Sequence, residues 1–180
     1  MINVIADRYA QALFEVGEET QTTSELYQEL SELVDILNEN KDLYNFLKSP
    51  LIGREDKKNV MQNIFENQLS NSMNNFLKVV IDKDRISAIE NMKESYKSLL
   101  NDKNNILEGT AITAVELSEK EIKDLEKNLS IKYNKNVTLN NIVDETILGG
   151  VLVKLGNEEI DGTVRTRLSK MKNQLSQVIS

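Results

Sequence analysis

Through its first hundred residues the chain places apolar side chains every three or four positions, and beyond that it turns to alternation. The first pattern predicts six helices. One covers about Asn3 to Gly17. A second opens near Thr22, where Thr22 and Glu25 have the spacing of a capping box, and carries Leu26, Leu30, Leu33, Val34 and Leu37 on one side. A short third, Lys41 to Leu47, stops at Ser49 and Pro50, because the residue before a proline is pushed out of helical geometry. A fourth runs from about Arg54 to Phe65 and a fifth from about Leu69 to Asp82. The sixth starts near Asp84 and carries Ile86, Ile89, Met92, Tyr96, Leu99 and Leu100. Short connections between such helices predict a compact bundle.

The polar stretch from Asn101 to Asn105 suits a linker and puts a domain boundary after residue 103. Thr110 to Val115 is rich in β-branched residues and predicts a strand. Ser118 and Glu121 form another capping box, opening a helix with Ile122, Leu125 and Leu129. Val137, Leu139 and Val143 alternate with polar residues, as do Val151, Val153 and Leu155, the pattern of half-buried strands. Gly156 and Asn157 predict a hairpin turn, since both tolerate positive φ, and Ile160 returns on a short strand. Asp161 is placed to cap a final helix with Val164, Leu168, Met171 and Leu175 on one face. The expected fold class is mainly α, with an N-terminal six-helix domain over 1–103 and a small α+β C-terminal domain over 104–180.

Two of the predicted helices carry more apolar surface than one core face uses. A surface helix ordinarily hides a stripe a little over about 100° wide. Placed on a helical wheel, Ile2, Ile5, Ala6, Tyr9, Ala10 and Ala12, with Leu13, Phe14 and Val16, cover roughly 200°. In the fifth helix Leu69, Met73, Phe76, Leu77, Val79, Val80 and Ile81 also cover roughly 200°, interrupted only by Ser70 and Ser72. Either both helices are central and covered by their neighbours, or they lie side by side and leave a groove for an amphipathic helix of another chain. In the second reading Ala6, Ala10 and Ala12 permit close approach, and Leu13 and Phe76 supply anchors.

Composition narrows the function. The chain has 180 residues, a single Pro and seven Gly, which favours long helices over a turn-rich β fold. Its net charge of −7 repels phosphate backbones and argues against nucleic-acid binding. Cys and His are absent, which removes disulfides, thiolate nucleophiles and the commonest general base and metal ligand. Gly149 and Gly150 lack the spacing of a phosphate-binding loop and instead fit a bulge or close backbone approach. Glu158, Glu159 and Asp161 cluster near a turn without the spacing of a calcium loop. No pairing of base and nucleophile is evident, so the expectation is no catalytic residue, no cofactor and no metal. The N-terminus lacks a secretion-signal pattern, and no stretch approaches the roughly 20 apolar residues that cross a bilayer. Membrane association is therefore expected only through partners. From Gly162 to Ser180 there is no acid, while Arg165, Arg167, Lys170 and Lys172 are basic. That helix either complements its own dipole or offers a docking face to an acidic partner.

Three blocks resemble the delta subunit family of F-type ATP synthases, which includes the oligomycin-sensitivity-conferring protein. The first is Ile5 to Val16, with Tyr9-Ala10 and Ala12-Leu13-Phe14, where Gly17 stands in place of a frequent Ala and is expected to end the helix slightly early. The second is Phe46 to Ile52, with its Pro break. The third and most specific is Leu148-Gly149-Gly150, Lys154-Leu155-Gly156 and Ile160-Asp161-Gly162-Thr163-Val164-Arg165 in the family's order; Glu145-Thr146 replaces a frequent Pro-Ser. The resemblance implies a non-catalytic peripheral-stalk subunit, monomeric alone, on the cytoplasmic face of the bacterial cell membrane. It implies that helices one and five receive the N-terminal helix of an alpha subunit, on Ala6, Tyr9, Ala10 and Leu13, with Phe76, Leu77 and Val80 added from the wheel. It further implies that the C-terminal domain joins the C-terminal helices of the b subunits, for which Val151, Val153, Leu168 and Met171 are the candidate contacts.

Overall fold

The computed structural model describes residues 2–65, 69–156 and 158–179, with side chains described from residue 4 to residue 172. It divides into two compact units, 1–100 and 101–180. The first contains α1 (Ile2–Thr20), α2 (Thr23–Glu39), α3 (Lys41–Lys48), α4 (Arg54–Ile64) and α5 (Asn71–Asp82), then a single 3-10 turn (Ile86–Ala88) leading into α6 (Ile89–Lys103). The six helices expected from the periodicity are all present.

Their core is assembled from one stripe of each. Ala6, Ala10, Leu13 and Phe14 of α1 meet Leu26, Leu30, Leu33 and Leu37 of α2, Met73, Leu77 and Val80 of α5, and Met92 and Tyr96 of α6. Tyr96 lies at the centre, fully buried. Its ring meets Phe14 edge-on at 5.5 Å and stacks on Tyr27 at 6.2 Å. Its hydroxyl donates to the carbonyl of Thr23 at 3.0 Å. Burial, reinforced by the charge of Glu18, pushes this hydroxyl up to about 12, so it stays protonated.

Several helix ends differ from expectation. α1 does not stop at Gly17 but continues to Thr20. Gly17 is buried where a Cβ would meet the Tyr96 hydroxyl at 3.0 Å and the Thr23 backbone at 3.1 Å, so it permits helices to touch rather than ending one. Thr22 precedes α2 without a side-chain capping bond; its hydroxyl meets that of Thr20 at 2.6 Å instead. α5 begins two residues later than expected, with Ser70 as its cap. Asn101 to Lys103 belong to α6, and the chain turns at Asn105 in left-handed geometry.

The second unit contains β1 (Ile106–Thr113), α7 (Glu119–Tyr133), β2 (Asn136–Val143), β3 (Val151–Leu155), β4 (Glu158–Asp161) and α8 (Val164–Ile179). The sheet order is β2-β1-β3-β4. β1 and β2 are parallel, joined through α7, while β1–β3 and β3–β4 are antiparallel. The expected capping box at Ser118 and Glu121 is formed with both of its bonds. α7 covers one sheet face, where Leu129 joins Ala111, Val137, Leu139, Val153 and Leu155 in a small core. Side chains on successive strand residues alternate faces, so the register sets Ile142, Ile112 and Leu152 in a row across the opposite face. Asn157 of the expected hairpin turn lies outside the described residues; Gly156 beside it has φ +55°. The side chains of Ile2 and Leu175 also lie outside them.

Candidate partner-binding surfaces

The wide apolar arcs of α1 and α5 each split into two stripes. On α1, Ala6, Ala10, Leu13 and Phe14 turn into the bundle, and Ile5, Tyr9, Ala12 and Val16 lie roughly 100° further round. On α5, Met73, Leu77, Val80 and Ile81 turn inward, and Phe76 and Val79 look out beside Ser72 and Asn75. The outward stripes form the walls of a groove of about 670 Å³, with Leu13 reaching its base. Tyr9 and Phe76 meet edge-on across it, with ring centroids 6.4 Å apart. The length of α1 along the groove, Ile5 to Val16, is about 16 Å, or three helical turns. Val16 and Val79 remain 39% and 47% exposed, so the groove wall carries open apolar surface. Arg8, Lys83 and Arg85 supply the only charges among the lining residues.

Of the residues selected from the sequence, Tyr9, Leu13 and Phe76 line this groove, whereas Ala6, Ala10, Leu77 and Val80 do not. Those four are at most 3% exposed and belong to the bundle's own core. Ala6 and Ala10 are small because α1 packs closely against its own chain, not to admit a guest. Ala12, expected to permit close approach, does line the groove, while the walls at Ile5, Val16 and Val79 and the cationic rim go beyond the residues implied by the sequence. All four were on the wheel; the arc has two equally apolar edges, and which one the bundle uses depends on neighbours that a wheel does not contain.

The C-terminal selection is not brought together either. Val153 is 2% exposed and Val151 packs against the same small core beneath α7. Leu168 and Met171 are 58% and 59% exposed on α8, in line with the half-exposed Val164 and flanked by exposed Arg165, Arg167, Lys170 and Lys172. The family-like run from Leu148 to Arg165 builds the attachment of this helix. Gly150 has φ +83°, and a Cβ there would lie 2.5 Å from the carbonyl oxygen of Gly162. That absence of a side chain lets the Gly162 amide donate to Val151 O and the Val164 amide to Gly149 O, both at 2.9 Å. Asp161 accepts from the Thr166 hydroxyl at 2.7 Å and the Thr163 amide at 2.9 Å, which holds its carboxyl below the usual range.

Several other charged groups have structural partners. Glu158 accepts from the Tyr133 hydroxyl at 2.6 Å, and Glu159 pairs with Lys154 at 3.5 Å. Asp84 bonds Arg54 at 2.7 Å, which lowers its carboxyl below the ordinary value, and faces the buried Lys57 at 3.8 Å, tying α4 to the end of α5. Among the described residues there is no group of three or more potential metal ligands, and no helix is long and apolar enough to cross a membrane.

Known proteins related in sequence belong to one family. The family model "ATP synthase delta (OSCP) subunit" matches residues 5–175. The chain is similar to ATP synthase subunit delta of Clostridioides difficile (strain 630), at 58% identity over 181 residues and 100% of both chains. It is similar to that of Alkaliphilus metalliredigens (strain QYMF) at 40% identity, covering 99% of each. Its fold resembles a chain of the Toxoplasma gondii mitochondrial ATP synthase hexamer, with a TM-score of 0.70 at 17% identity over 94% of this chain and 96% of that one. A chain of Polytomella F-ATP synthase in rotary substate 2C matches at a TM-score of 0.50 and 14% identity, over 53% of this chain and 84% of that one.

Proposed function

The chain belongs to the ATP synthase delta (OSCP) subunit family, and from that premise we propose where it holds its partners. It is a non-catalytic stator subunit of ATP synthase, peripheral to the membrane complex and associated with other subunits of the enzyme. The stator keeps the catalytic head from turning with the rotor; without it, ion flow would spin head and rotor together and no work would be stored.

In our reading, residues 1–103 dock on the head and residues 104–180 hold the stalk. The N-terminal helix of an alpha subunit lies in the groove between α1 and α5, against Tyr9, Leu13 and Phe76, with Ile5, Ala12, Val16 and Val79 as walls. The groove between two helices with surplus apolar surface is the observation that carries this reading. Covering a large side chain fully is worth roughly 1.5–3 kcal/mol, and several such side chains together offset the association cost of about 4–15 kcal/mol. The C-terminal helices of the b subunits meet α8 along Val164, Leu168 and Met171, and the chain is held in this way at the cytoplasmic face of a bacterial cell membrane.

Purification of the tagged chain from its own cells tests both ends. The wild type is expected to bring down alpha and b together. The pair L168D and M171D is expected to lose b and keep alpha. Retention of b by that variant would contradict the α8 assignment, and recovery without alpha would contradict the groove.

A further inference from the structure

We infer that the groove selects its guest by charge, accepting an amphipathic helix whose apolar stripe is flanked by carboxylates that Arg8, Lys83 and Arg85 read. The inference rests on the helix-in-groove reading above and adds what kind of helix fits. The chain as a whole carries 29 acidic and 22 basic residues, yet three cations and no carboxylate line this surface. Arg8 stands on the α1 wall, and Lys83 and Arg85 follow the end of α5, so both walls carry positive charge.

Nearby acids are directed elsewhere. Asp84, between the two cations, bonds Arg54 and faces Lys57, with Arg85 contributing a smaller charge interaction. Asp82 pairs with Lys58 at 2.6 Å. Asp7 accepts from the Ser95 hydroxyl at 2.6 Å, and Glu15 accepts from Gln11 at 3.0 Å. Among the described residues, neither Arg8 nor Lys83 has a salt-bridge partner. Arg8 and Lys83, left without a salt bridge beside an apolar trough, raise its potential, steer an acidic guest and penalise a basic one. The trough is concave, has the Tyr9 and Phe76 rings meeting across it and is about three turns long. That shape fits a helix, whereas an anionic membrane surface cannot follow it.

Three synthetic helices with the same leucine stripe at i, i+3, i+4 and i+7 spacing, flanked by Glu, Gln or Lys, test this on the full chain by calorimetry. The Glu-flanked helix is expected to bind roughly tenfold tighter than the Gln-flanked one at low salt, and the Lys-flanked helix weakest. The difference should collapse as salt rises from about 0.05 M to about 0.5 M. The R8Q/K83Q/R85Q variant should lose the preference, and R8E/K83E/R85E should invert it, with helical content unchanged by circular dichroism. Equal affinity for the Glu- and Gln-flanked helices, with F76D abolishing both, would overturn the charge rule while leaving the groove in place. Failure of the wild type to bind any of the three would overturn the groove reading and the charge rule with it. Binding of anionic vesicles in preference to the Glu-flanked helix would also overturn the charge rule, since the rim would then serve a lipid surface.

Discussion

Tyr96 shows how much a single residue integrates. One hydroxyl closes the Thr23 carbonyl, while the ring contacts Phe14 and Tyr27, so three helices share it. Y96F leaves the Thr23 carbonyl without this partner in the core and should cost about 1–3 kcal/mol in a denaturant titration, with guest binding in the groove unchanged. The same hydroxyl makes an alkaline prediction. Its folded value of about 12 exceeds the ordinary 10.0, so its contribution is complete below pH 10 and lost as pH rises through 12. A stability profile over that range should fall less steeply in Y96F than in the wild type; identical slopes would contradict the assignment. At this scale some of the structure was legible. Ser118 and Glu121 form the capping box that their spacing predicts. Thr22 and Glu25 share the spacing but not the outcome, because Gly17 brings α1 and α2 so close that the turn closes by a Thr22 amide bond to Gly17 O at 2.8 Å. Thr22 then sits at φ −120° and ψ 25°, away from the extended backbone a capping residue adopts.

Among elements, periodicity located all six N-terminal helices, and the width of two apolar arcs pointed to a groove. The arcs do not show which edge faces outward, and the bundle consumes Ala6 and Ala10, which the resemblance implies, together with Leu77 and Val80, which the wheel adds. Alternation likewise identified Val151 and Val153 as facing one side of a strand, but only the placement of α7 shows that this side is closed. The attachment of α8 makes the sharpest prediction at this scale. G150A would impose a side chain at φ +83° and push it against the Gly162 carbonyl. The conformational strain alone is of the order of 1–3 kcal/mol. Proteolysis should therefore cut G150A within residues 145–163 faster than the wild type, with the N-terminal unit intact. Equal cutting rates would show that the glycine is not needed for this approach.

For the whole molecule, the residues explain a part that transmits force without chemistry. Carboxylates are partnered with Tyr133, Lys154, Thr163, Thr166 and Arg54 rather than gathered into a reactive cluster. Apolar surface stays uncovered in the groove of the first unit and, in the second, along the α8 stripe and at Ile142. The two-unit plan was legible because helical periodicity gives way to alternation just beyond residue 100. The stator role was legible through resemblance, chiefly of the run from Leu148 to Arg165, to the delta subunit family. The most direct measurement is a calorimetric titration of the N-terminal segment of the alpha subunit from the same organism into the wild-type chain and into F76D. Saturable binding by the wild type, lost in an F76D chain of unchanged helical content, is the result this account predicts. Equal affinity for the two chains would contradict the groove between α1 and α5 as the place where the head is held.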